Sequence, residues 1–112
     1  MLVNTRRGEV AATLDGKDFR LCLTLGALAE LETALGAGDL VTLGERFSTG
    51  RLSAKDMIAV IASGLRGAGN SVSETDVAAM RVSGGLETYA KIVADLLLAT
   101  FGSAESQVSA NP

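Results

Sequence analysis

The sequence predicts an α+β fold that is mainly helical, with an N-terminal two-stranded antiparallel β-hairpin packed on about five short helices. Three observations carry that expectation. Asp15-Gly16, the strongest short hairpin signal, sits between two runs of alternating apolar residues. Further along, apolar residues recur at helical spacing in segments opened by Thr, Asp or Ser. Thirteen glycines and a single proline suit several short elements joined by tight turns.

The hairpin is expected over Gly8 to Thr24. A type I′ turn at Asp15-Gly16 sets Leu14 opposite Lys17, Ala12 opposite Phe19 and Val10 opposite Leu21. Directly opposed residues share a face, so Val10, Ala12, Leu14, Phe19, Leu21 and Leu23 gather on one apolar side. Glu9, Ala11, Thr13, Asp18, Arg20 and Cys22 take the other side. A slip of one residue would mix the two sets, so pattern and turn support the same register.

An isolated hairpin is marginal in water and needs helices on its apolar face. The first is expected over Leu25 to Leu35, with Thr24 as N-cap, Gly36 as stop, and Leu25, Leu28, Leu31 and Leu35 inward. Asp39 caps a second helix, Leu40 to Phe47, buried through Leu40, Leu43 and Phe47 and ended by Gly50. Ser53 and Asp56 open a third, whose inner stripe is Met57, Ile58, Ile61 and Leu65. Ser73 to Asp76 opens a short fourth helix through Met80. After Ser83-Gly84-Gly85 the last helix runs from Leu86 to Phe101, with Leu86, Tyr89, Val93, Leu96 and Leu97 inward and Ile92 close by.

With 112 residues the chain has the size of one domain. Residues 1–102 are expected to form it, and 103–112, rich in Ser and Ala, to be a flexible tail. No internal repeat or linker interrupts it. The composition is 47% hydrophobic but only 4% aromatic, so Leu, Val, Ile and Ala must build the core. Arg6-Arg7 near the N-terminus precedes no apolar stretch of signal-peptide type. The longest apolar stretch, around Leu96 to Ala99, is far short of the roughly 20 residues that span a bilayer. A soluble, cytoplasmic protein is the expectation, with no membrane partner. The single Cys22 excludes an intrachain disulfide.

Residues able to do chemistry are scarce. The chain contains no histidine, which removes the commonest general base and metal ligand together. Cys22 has no imidazole to activate it and reads as a small space-filler. Glu30 and Glu32, and Asp15 and Asp18, read as solvated charges. Gly64-Leu65-Arg66-Gly67-Ala68-Gly69 follows a helix rather than a strand, so it reads as helix termination, not a phosphate cradle. Gly67 to Val72 carries no carboxylate for calcium and is longer than a helix-turn-helix turn. No catalytic residue, metal site or cofactor is expected. A net charge of -3 argues against nucleic acid as partner.

What remains is apolar surface and sheet edge. The last helix carries more apolar residues than one buried stripe requires. Either it is a central helix packed on several sides, or it offers a partner-binding face, and a homo-oligomer satisfies both. Leu97, Leu98 and Phe101 are the candidates there. The hairpin leaves two strand edges that another chain can extend, and Arg20 and Cys22 are its candidate partner-binding residues.

Several blocks occur in order. Arg6-Arg7-Gly8-Glu9-Val10 leads into the hairpin. Leu21-Cys22-Leu23-Thr24-Leu25-Gly26-Ala27-Leu28-Ala29-Glu30-Leu31-Glu32 follows, then Phe47-Ser48-Thr49-Gly50-Arg51-Leu52-Ser53-Ala54-Lys55-Asp56 and Gly64 to Gly69. Together they resemble the gene transfer agent and phage family of tail-assembly chaperones, also described as tail tube proteins, over roughly Arg6 to Phe101. The resemblance implies a non-enzymatic assembly factor that binds the tape-measure protein and helps the tail tube protein polymerise. One alternative is a structural tail component, a tube or completion protein retained in the particle and hence virion-associated. A tube ring, however, needs more strand than one hairpin supplies. A small DNA-binding regulator is the second alternative, disfavoured by the acidic balance.

Overall fold

The computed structural model describes residues 8–102, so the expected tail at 103–112 lies outside them. The elements follow in order: β1 (Glu9–Leu14), β2 (Lys17–Cys22), α1 (Leu25–Leu35), α2 (Leu40–Ser48), α3 (Ala54–Gly67), α4 (Glu74–Ala79) and α5 (Leu86–Leu97). A π-helical turn, Leu98–Gly102, closes the described chain. The α+β, mainly helical class is the one expected.

The hairpin forms in the expected register, with Leu14 opposite Lys17, Ala12 opposite Phe19 and Val10 opposite Leu21. Asp15 and Gly16 both have positive φ, 55° and 73°, the signature of a type I′ turn. Its twist matches that of the flanking strands, so turn chemistry and hydrophobic alternation select the same pairing. Val10, Ala12, Leu14, Leu21 and Leu23 are buried, and Phe19 is half-buried against them.

α1 to α4 begin where side chains satisfy their first free N–H groups, whereas α5 starts at Gly85 without a side-chain cap. The Thr24 hydroxyl accepts from the Ala27 N–H at 3.1 Å, and Asp39 accepts from Thr42 at 2.8 Å. Ser53–Asp56 and Ser73–Asp76 each form a full capping box. Gly36, with φ 69°, ends α1 while the next N–H, on Ala37, reaches back to the Glu32 carbonyl.

Several side-chain assignments differ from expectation. Leu25 is 75% exposed, and Leu40 and Leu86 also face outward. Each stands in the first turn of its helix, where the chain arrives from a loop. Ala27, adjacent to Leu28, takes the inward place Leu25 was expected to fill. The last α-helix ends at Leu97, four residues before Phe101, where the π-helical turn begins.

The helix packed on several sides is α3, not α5. Ala59 to Leu65 is buried without a break, and α3 contacts β2, α1, α4 and α5. Gly64 and Gly67 explain how it sits so deep. A Cβ on Gly64 would lie 2.7 Å from Leu96 Cδ2, and one on Gly67 would lie 2.0 Å from the Cys22 carbonyl oxygen. Gly64 is a packing position inside the helix, and Gly67, its last residue, packs on β2. Gly69, at φ 97°, is the terminator. Each Leu buried here, such as Leu21, Leu65 or Leu96, contributes roughly 1.5–3 kcal/mol by leaving water.

Candidate partner-binding site

α5 runs beside β1 and α3 and buries Ile92, Val93 and Leu96. A second surface, through Leu86, Ala90, Ala94, Leu97 and Leu98 with the buried Val93 at its base, follows helical spacing and forms one wall of a groove of about 560 Å³. The other wall comes from α2 and the loop behind it, through Gly44, Phe47, Ser48, Gly50 and Leu52, with Met57 of α3 between the walls. Phe101 and Gly102 close one end.

The π-helical turn shapes that end. The Thr100 hydroxyl donates to the Leu96 carbonyl at 2.7 Å, and the Phe101 ring packs on Phe47 with centroids 6.2 Å apart and planes tilted by 50°. Leu98 stands beside this pair at 66% exposed. Glycine or small residues on both walls leave the groove open to a bulky apolar side chain.

α2 is held in place by polar contacts as well as by burial. Leu43 is its only fully buried side chain. The Arg46 guanidinium donates to the Leu35 carbonyl at 2.6 Å and pairs with Asp56 at 3.2 Å. Asp56 is buried and also caps α3 through the Ser53 N–H at 3.1 Å. At the start of α2, the hydrogen bonds from Thr42 hold the Asp39 carboxyl below its ordinary value. An acidic group is favoured there because the helix N-terminus is positive.

The structure thus brings Leu97, Leu98 and Phe101 together on one groove. Arg20 and Cys22 lie elsewhere, on a separate cleft of about 380 Å³ with Glu9, Leu23, Thr24, Gly67 and Ala68. Arg20 faces Glu9 across the hairpin at 3.9 Å. The five candidates therefore make two surfaces, not one. Phe47, Leu52 and Met57 join the groove without having been singled out for it. Their apolar periodicity had assigned Phe47 and Met57 wholly to the core, and helical spacing alone does not separate a core stripe from the floor of an open groove.

The walls of the groove are apolar side chains with a single hydroxyl, Ser48. Among the described residues no group of three or more His, Cys, Asp or Glu is placed to hold a metal ion. No helix among them is long and apolar enough to cross a membrane.

Residues 7–103 match the family model described as phage tail tube protein, GTA-gp10. That span agrees with the stretch over which the resemblance extends. The matching description is the tail tube one, and it names no chaperone. No curated protein and no solved structure matches the chain.

Proposed function

The chain belongs to the phage tail tube protein, GTA-gp10 family, and from that membership we propose that it is a non-enzymatic component of a phage-like tail that works by docking against other tail proteins. The observation that carries this is the groove between α2 and α5, an open apolar site with no chemistry of its own. Burial of apolar side chains is the strongest interaction such a surface has to offer.

The family description favours a structural part retained in the particle, and that is the first reading. The expected partners are then neighbouring subunits of the tail. A second reading is supported by the sheet, which has two strands among the described residues. A ring-forming tube subunit needs strands enough to continue a sheet around the ring, so an assembly factor that binds the tape-measure protein and then departs also fits this chain.

Mass spectrometry of purified particles separates the two readings. Stoichiometric retention supports the structural part. Absence from particles, together with a saturable complex with the tape-measure protein, supports the departing factor. If the folded chain is missing from particles and binds neither tail protein, both readings fail.

A further inference from the structure

We propose that the outer edge of β1 accepts one extended segment of another polypeptide as a third strand, laid over α5. This surface is distinct from the apolar groove. It borders a cleft of about 690 Å³ bounded by β1, the hairpin turn, the Arg81–Ser83 loop and α5.

The type I′ turn determines which backbone groups face that cleft. Leu14 and Lys17 flank the turn and exchange hydrogen bonds, so the bonded pairs alternate from there. Thr13–Asp18 and Ala11–Arg20 are then the non-bonded pairs. The N–H and C=O groups of Thr13 and Ala11 consequently point away from β2.

The two edges of the hairpin differ. On β2 the outward carbonyl of Arg20 accepts from the Asn70 side chain at 3.1 Å, and Gly67 presses against the Cys22 carbonyl. Lys17, Asp18 and Arg20 add the charges that commonly protect an edge. On β1, Ala11 and Thr13 are exposed, and the strand has no Pro, Lys or bulge.

The molecule already makes the first rung of such a ladder. Just past β1, the Asp15 N–H donates to the Arg81 carbonyl at 2.8 Å, and the Arg81 N–H returns a bond to Asp15 Oδ1 at 3.1 Å. The chain then turns away toward α5 and leaves the rungs at Thr13 and Ala11 unfilled. An incoming strand continues the ladder from where Arg81 departs.

Layer widths explain the room for it and select the occupant. α3 packs under β2, and α5 under β1. Neighbouring helices need roughly 8–10 Å, whereas strands need about 4.8 Å. Two helices therefore overhang two strands, and with the β2 edge covered the overhang lies beyond β1. A second copy pairing through its own β1 would bring its own overhanging α5 into the same space. A lone extended segment brings no helix. Asp15 and Asp95 balance Arg81 and Lys91 around the cleft, so an uncharged segment fits best.

The test is NMR titration of the full chain with a capped, alternating Thr/Val heptapeptide, alongside the same peptide N-methylated at every second amide. Support requires shifts centred on the Ala11 and Thr13 amides, with binding reduced about tenfold or more by N-methylation. Ala11→Pro removes an outward N–H that β2 does not use and that edge strands dispense with. It is expected to abolish binding while the hairpin signals persist. If that variant does not fold, the N-methylated peptide still decides. The proposal is overturned by no binding, by equal binding of both peptides, or by shifts centred on Leu98 and Phe101. It is equally overturned if the Ala11 and Thr13 amides are already protected from exchange in the dilute chain, or become so through self-association.

Discussion

The two sides of α5 are built on opposite principles. Toward β1 and α3 it buries Ile92 and Leu96, and Leu96 meets α3 at Gly64, where a single added carbon would collide. Toward α2 it presents Leu86, Leu97 and Leu98 to an open groove, and the facing helix is held by Leu43, the Phe47–Phe101 contact and Arg46. Against α3 the packing is too close to admit another chain, whereas along β1 the same helix borders the open cleft. The second side keeps apolar surface accessible at the cost of a loosely anchored wall. Stability and docking are thereby separated on one helix.

Substitutions graded by expected effect test that separation. The largest belongs to Gly67→Ala, whose new Cβ would sit 2.0 Å from the Cys22 carbonyl, a backbone atom that cannot step aside alone. A loss of about 3 kcal/mol in chemical denaturation is expected. An unchanged midpoint would mean that the α3–β2 contact is not close packed. Next is Asp56→Ala, which removes a buried carboxylate that caps α3 and anchors Arg46. About 2 kcal/mol is expected, combining a lost cap with a broken pair in which only the carboxylate is buried. Arg46→Ala should cost less, since that side chain is 40% exposed and solvent screens the pair. It should chiefly speed amide exchange in α2, leaving α3 and the hairpin protected.

Leu98→Asp sharpens the comparison from the other side. Its stability should remain within about 0.5 kcal/mol of the parent, as for most exposed sites, while binding to tail proteins weakens. Unfolding instead would place Leu98 in the core and erase the distinction between the two sides. The smallest effect concerns acid. Hydrogen bonds from Thr42 and Ser73 hold the Asp39 and Asp76 carboxyls below the ordinary aspartate value. A lowered folded value stabilises above the unfolded one, and that contribution is lost as pH falls through the folded value. Asp39→Asn keeps a capping side chain without the charge. Acid titration followed by circular dichroism should therefore show a shallower low-pH loss of helix than in the parent.

Much of the fold was legible because its signals are local. Asp15-Gly16 demands positive φ at two successive residues, and alternation on each side then fixes the register. Thr24, Asp39, Ser53 and Ser73 act on N–H groups two or three residues away, so each helix start can be read from a short window. The misplacements occurred where a partner distant in sequence decides. Leu25, Leu40 and Leu86 obey helical spacing yet face outward, because inward position depends on what lies across from the first turn. The candidate site was half legible: Leu97, Leu98 and Phe101 stood out as surplus apolar residues, but Phe47, on the opposite wall, looked like core.

The sequence by itself determined the hairpin and its register, the five helices, the caps of the first four and the absence of histidine, since each depends on side-chain chemistry within a few residues. Tertiary structure alone decided that α3 rather than α5 is central. It also decided that Gly64 and Gly67 are contact points, that Arg20 and Cys22 lie apart from the groove, and which strand edge stays open. Those outcomes depend on which surfaces meet after the chain folds back across dozens of residues, and periodicity along one segment carries no information about the atoms that arrive from another.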